Sequence, residues 1–220
     1  MQTLHDIIST HIPGAQLDVI SLPDTANLKL ALLSADYPQH ELDSDNTHRL
    51  MHEPMYWVFC WASGQVLAQY LLREPNAVRG KTVCDFGTGC GVVAVAAALA
   101  GARCVYACDI DPIALQATQH NAALNGVSVN CVSNMDNITE PLDLISVADV
   151  LYDSDNLPLL DHFSHYAPQV LLADSRIKNF DHSNYTLLCT EQSHTLPDLD
   201  ESAEFRSVRI YSGARSRAIV

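Results

Sequence analysis

The chain has 220 residues and a mass of 24.1 kDa, enough for one α/β domain with a full core and too few for two domains of similar size. With 48% of residues hydrophobic and 17% charged, disordered, fibrous and disulfide-stapled classes are excluded. Lys and Arg number 12 against 26 Asp and Glu, a formal charge of −14 without the basic footprint that nucleic-acid binding leaves; it reads as solubility, or as attraction of a basic protein or an amine.

Residues 1–55 read as an accessory segment and residues 56–220 as the main domain. Residues 1–10 have no basic region ahead of a hydrophobic block, and the apolar run 90–102 is too short to cross a bilayer. A cytoplasmic protein without a membrane span is therefore expected. Leu4, Ile7, Ile8 and His11 follow helical spacing, while Leu28, Leu30 and Leu32 alternate as in a half-buried strand. Residues 38–54 read as a loop. His48 and His52 lie four apart beside Glu53, but no further ligands follow at a convincing spacing, so no metal is expected. Trp57 and Trp61 are expected to share a face at the start of a helix that continues through Leu67, Tyr70 and Leu71.

From residue 82 the pattern alternates: strand 82–86, a glycine turn, helix 90–99, strand 103–108, a helix, and strand 128–133. Further strands are expected at 143–150 and 169–173, and an antiparallel hairpin at 185–190 and 207–212. Strands alternating with helices imply a Rossmann-like, mostly parallel seven-stranded sheet covered on both faces. Asp111, Pro112 and Gly126 punctuate the second helix as N-cap, first residue and terminator. Seven cysteines, an odd number without a C-x-x-C pair, read as free thiols packed as small hydrophobes in a reducing compartment.

The segment Asp85-Phe86-Gly87-Thr88-Gly89-Cys90-Gly91 ends a strand and opens into an Ala-rich helix. Its glycines let the backbone turn sharply and approach a ligand beside a helix N-terminus. The dinucleotide fingerprint needs a sixth-position glycine where this chain has Val92, which disfavours a dehydrogenase. Asp109 closes the next strand, where a carboxylate accepts ribose hydroxyls; capping the following helix is the plainer role, better filled by Asp111. The turn at Met135 and Asp136 offers an apolar wall and an acceptor for an adenine ring, or is a simple surface turn.

Four separated motifs occur in order and resemble the seven-strand, class I S-adenosylmethionine-dependent methyltransferases. They are the segment 56–65, the D-x-G-x-G-x-G turn at 85–91, Asp109, and the D-x-x-Y pattern Asp149 to Tyr152. The likeness spans roughly residues 56–176 and is greatest to the protein-lysine methyltransferase branch that includes the electron transfer flavoprotein β-subunit lysine methyltransferases. Residues 1–55 match only loosely. The sequence Ala173-Asp174-Ser175-Arg176 departs from the Pro-Gly expected after the aspartate.

The resemblance implies S-adenosyl-L-methionine as cofactor, contacted by Trp61, Asp85, Gly87, Gly89, Gly91, Asp109, Met135, Asp136 and Ala148. It implies that Asp149 and Tyr152 face the methyl acceptor, as residues three apart on one helical turn would. N-capping of the following helix is the structural alternative for Asp149, a task for which Ser154 and Asp155 are better placed. The implied partner is a protein with an accessible lysine. A small amine or heterocycle is the alternative acceptor, and a catalytically inactive cofactor-binding module the alternative class. Nucleic acid ranks lower, since neither N-P-P-Y nor D-P-P-Y is present.

Overall fold

The computed structural model describes residues 3–12, 14–25, 27–37, 55–151, 154–177, 180–199 and 202–214. Its centre is a seven-stranded sheet built from β3 (Thr82–Phe86), β4 (Cys104–Cys108), β5 (Asn130–Val132), β6 (Leu144–Ala148), β7 (Gln169–Asp174), β8 (Tyr185–Gln192) and β9 (Ser207–Ala214). The strand order is β5-β4-β3-β6-β7-β9-β8, and β9 runs antiparallel to both neighbours. This is the expected sheet with its C-terminal hairpin. The order reverses between β3 and β6, which opens a crevice at their carboxyl ends.

Burial of both sheet faces explains the sequence of the central strands. In β3 and β6 four of five residues are buried, a continuous run that only two covered faces make favourable. Helix α2 (Ala62–Arg73) and helix α3 (Val92–Leu99) cover one face, and α5 (Leu159–Tyr166) contributes Leu160 and Phe163 to the other. The α2–α3 crossing is close. A Cβ added to Gly64 would stand 3.0 Å from Val92 Cγ1.

The N-terminal segment is packed into the same core. Helix α1 (Leu4–His11) starts at a Thr3/Asp6 capping box, and β1 (Leu17–Ser21) pairs antiparallel with β2 (Lys29–Leu33). The free edge of β2 is met by side chains of α4 (Pro112–Leu124) and the residue after it. Ala31 N–H donates to Asn121 Oδ1 at 2.8 Å, and Lys29 N–H donates to Asn125 Oδ1 at 2.8 Å. Leu30 and Leu32 join the main core, while Leu33 packs with Ile7, Ile8 and Trp57. The strand is consequently buried on both faces rather than half-buried, with only Lys29 exposed.

Several expectations shift. Trp57 and Trp61 do not share a helix face: Tyr56–Val58 form a 3-10 turn, Trp61 is extended, and α2 begins at Ala62. Cys60 instead pairs its backbone with Leu196, which holds this stretch out of the helix. The glycine helix starts at Val92 rather than 90, because Gly91 adopts φ +82° as its N-cap. The next α-helix has Pro158 as its N-cap, with no side-chain cap bond, so the cap does not fall at Asp155. Strand β5 is three residues long, and α4 carries the Asp111 cap and Pro112 start. The loop at 38–54, with His48, His52 and Glu53, lies outside the described residues.

Candidate active site

The glycine turn is held in shape from beneath. Asp85, buried at the end of β3, accepts hydrogen bonds from Thr88 Oγ1 at 2.8 Å, Ser146 Oγ at 2.9 Å and Ala94 N–H at 3.2 Å. Burial lifts its pKa to about 6, against the pull of those three donors. Its carboxylate faces inward and ties β3, the turn, α3 and β6 together.

Gly87 and Gly91 are required for local reasons. Both have positive φ, and a Cβ at Gly87 would stand 2.7 Å from Val150 Cγ2, one at Gly91 2.9 Å from the backbone Cα of Thr118. Gly89 differs: its φ is +52°, yet nothing lies within 4 Å of an added Cβ. That open side is where a ligand can approach the turn. Asp109, at the end of β4, spans this opening, accepting from Gly89 N–H at 2.9 Å and Asp111 N–H at 3.0 Å. Burial holds its pKa above the ordinary carboxylate range.

The flanks are supplied by the next two strands. After β5, Asn134 caps a 3-10 turn that buries Met135 and leaves Asp136 exposed, with Tyr166 OH donating to Asp136 Oδ1 at 2.5 Å. Tyr166 was not singled out in the sequence; its only signal is a place on the last turn of α5. Half-buried Ala148 closes β6. Partly exposed Trp61 donates Nε1–H to Tyr56 O at 3.0 Å and meets Tyr56 and Phe59 edge-on.

Asp149 follows β6 with φ +54°, a backbone state uncommon outside glycine. Its carboxylate is occupied by Ser63, whose N–H donates to Oδ2 at 3.0 Å and whose Oγ donates to Oδ1 at 2.5 Å. Asp149 thus caps α2 across 86 positions of sequence, since the helix's own N-cap residue, Trp61, offers no side-chain acceptor. Ser63 was missed, although an uncapped helix start beside a serine is a readable signal. Burial raises the Asp149 pKa to about 7; the Ser63 bonds oppose this, the Asp174 charge adds to it and Arg176 subtracts. Tyr152 lies outside the described residues.

Among the described residues no group of three His, Cys, Asp or Glu is arranged to hold a metal, all seven cysteines are free, and no helix is long and apolar enough to cross a membrane. A cavity of about 600 Å³ lined by Gln65, Gln69, Arg73 and residues 191–194 opens between α2 and β8, sharing no residue with the glycine turn.

Comparison with known proteins agrees with this geometry. Residues 66–162 match the family model for ribosomal protein L11 methyltransferase. The electron transfer flavoprotein β-subunit lysine methyltransferase of Rattus norvegicus is 39% identical over 152 residues, covering 65% of this chain and 60% of the relative. The chain therefore spans about three fifths of the length of that curated relative. Among solved structures, ribosomal protein L11 methylase from Lactobacillus delbrueckii subsp. bulgaricus superposes with a TM-score of 0.53 at 22% identity, over 70% of this chain and 78% of the other. Magnesium protoporphyrin IX methyltransferase from Synechocystis, solved with bound SAM, gives 0.53 at 19% identity over 80% and 86%. The solved structures show the shared fold. By those matches the chain is similar in sequence to methyltransferases over residues 66–162, and it shares the fold of the solved ones.

Proposed function

We propose that this protein transfers the methyl group of S-adenosylmethionine to the side-chain nitrogen of a protein lysine. The observation that carries the reading is the seating of Val150, just after β6, against Gly87, which puts the neighbouring Asp149 at the same edge of the sheet as the glycine turn and Asp109. The aligned relatives named as lysine methyltransferases support the same acceptor. So does the −14 charge, which favours a basic protein surface over nucleic acid. The free thiols support a reducing compartment, and the cytoplasm is the proposed one.

The residues present fit the cofactor. The open side of Gly89 admits it, Asp109 is already oriented by two backbone amides and keeps lone pairs for ribose hydroxyls, and buried Met135 provides an apolar wall. S-adenosylmethionine, when bound, supplies an electrophilic methyl group on a sulfonium. The protein's share is alignment and proton management. An acceptor lysine has an ordinary pKa of about 10.4 and can attack only after losing a proton. Asp149, fixed by Ser63, orients the incoming ammonium. With a pKa near 7 it can also hold a proton at neutral pH, which an ordinary surface aspartate cannot. Tyr152 is assigned to the acceptor channel on family resemblance.

Asp149→Asn tests the reading. Calorimetry should show S-adenosylhomocysteine affinity within twofold of wild type, while turnover on a lysine substrate falls at least about 100-fold. Unchanged turnover would remove Asp149 from the chemistry. A labelled-methyl screen on lysate fractions, followed by hydrolysis, should find the label in methyllysine; label confined to small molecules would move the acceptor to a small amine.

A further inference from the structure

We infer that Asp174 is a second acceptor-site carboxylate, the floor of a seat for an alkyl ammonium whose rim is Asp149. The inference rests on the lysine reading above and names a residue that reading does not use. The register Ala148↔Ala173 brings the ends of β6 and β7 level, and Asp149 N–H donates to Ala173 O at 3.3 Å, so Asp149 and Asp174 stand side by side at the carboxyl edge of the sheet. Ligands of open α/β sheets bind along that edge.

The two oxygens of Asp174 are in different states. Oδ1 accepts the N–H groups of Arg176 and Ile177, both at 2.8 Å. Oδ2 is buried and has no hydrogen-bond partner among the described residues, on a side chain only 2% exposed. A buried carboxylate oxygen without a donor is costly and calls for an explanation. The nearby cations do not provide one. Arg176 lies over the Phe205 ring, 4.6 Å from its centroid, Arg209 Nη1 donates to Ile177 O, and neither bonds Oδ2. Their charges nonetheless pull Asp174 toward the ionised form, while burial works against it.

What fits is a slim cation rich in N–H donors. An alkyl ammonium carries three, enough for one bond to each carboxylate, and half-buried Asp149 is the member of the pair that solvent reaches. An anion is excluded by two adjacent carboxylates, and two carboxylates alone are too few ligands for a divalent cation. The pair also handles the proton. Two like charges at close range cannot both stay ionised at ordinary pH. One N–H bond of the ammonium breaks, its proton passes to the pair, and the nitrogen keeps the electron pair it needs for attack. Among the described residues, the charged and titratable groups facing this pair are Arg176, Arg209, the Cys60 thiol and the Tyr211 phenol, with Ser63 as the hydroxyl donor.

The test uses n-butylammonium, a lysine side-chain mimic, titrated into the S-adenosylhomocysteine complex. Wild type should bind it, Asp174→Asn should bind it at least tenfold more weakly, and affinity for S-adenosylhomocysteine should stay within twofold. The carboxyl ¹³C resonance of Asp174 in wild type should move on saturation, a readout that stands even if the variant does not fold. With a lysine substrate, Asp174→Asn should raise KM more than it lowers kcat and shift the acid limb of kcat/KM to lower pH, because the like charge beside Asp149 is gone. Equal butylammonium affinity in wild type and variant, or an unmoved ¹³C resonance, overturns the seat and leaves the lysine reading intact. Butylammonium binding that depends on Asp174, in a protein that methylates no lysine, removes the lysine reading and retains the seat.

Discussion

The two halves of the crevice handle buried carboxylates in opposite ways. On the β3–β4 side, Asp85 meets two hydroxyls and one backbone amide and Asp109 two backbone amides, so each acid holds the turn in place. On the β6–β7 side, Asp149 is strained into a positive φ and held by one residue, and Asp174 has an oxygen without a donor. The first half is a cradle in which both carboxylates already have donors before any ligand arrives, with lone pairs of Asp109 still open to one. The second stores unsatisfied charge, which is where a site gains most from a cationic ligand.

The largest effect should come from breaking the cradle. Gly91→Ala adds a Cβ 2.9 Å from the Thr118 backbone at φ +82°, and should cost about 3 kcal/mol or more in urea unfolding. The same substitution at Gly89 meets no neighbour, so its cost should be only the backbone penalty, about 1 kcal/mol. A similar cost at both sites would erase the distinction drawn between a packed glycine and an open one. Next, Asp109→Ala should weaken S-adenosylhomocysteine binding about 30-fold or more in calorimetry and leave butylammonium binding within twofold, because it belongs to the other half. Asn121→Ala removes the acceptor for Ala31 N–H and the donor to Cys90 O, and should lower stability by about 2 kcal/mol without a matching loss in ligand affinity per folded molecule.

The halves should also separate by pH. Asp149 and Asp85 both titrate above the ordinary carboxylate range, at about 7 and about 6. Protonation therefore favours the fold at each: the contribution is complete below about pH 4 and is lost as pH rises through 6 to 7. The urea midpoint of wild type should fall between pH 5 and pH 8, and Asp149→Asn should flatten the upper part of that fall. The wild-type kcat/KM should rise through about pH 7 as Asp149 ionises, and the variant should lack that limb. The smallest effect belongs outside both halves. Arg73→Ala breaks an ion pair with Glu191 at the exposed end of α2 and should cost less than about 1 kcal/mol.

The parts of the site that were legible in the sequence are those decided by near neighbours. Gly87, Gly89 and Gly91 sit between a buried strand and an Ala-rich helix, and Asp111-Pro112 opens α4 as its residue types require. The reading of Trp57 and Trp61 as one helix face failed because spacing four apart carries no information about the backbone pairing of Cys60 with Leu196, far along the chain. Leu28, Leu30 and Leu32 were read as half-buried because alternation shows one apolar face, and only α1 and α4 packing against the other side buries Ala31 and Leu33.

For the carboxylates, residue type and position at a strand end identify Asp85, Asp109 and Asp149 as members of a site, since a polar group closing a parallel strand falls on the edge where ligands bind. Which of them turns inward, which caps a helix 86 residues away, and that Asp174 beside them keeps an oxygen without a donor, is decided by distances between strands and helices that only the folded chain brings together. Local propensity acts over a few residues, whereas burial and hydrogen-bond satisfaction act over whatever the sheet and its helices enclose.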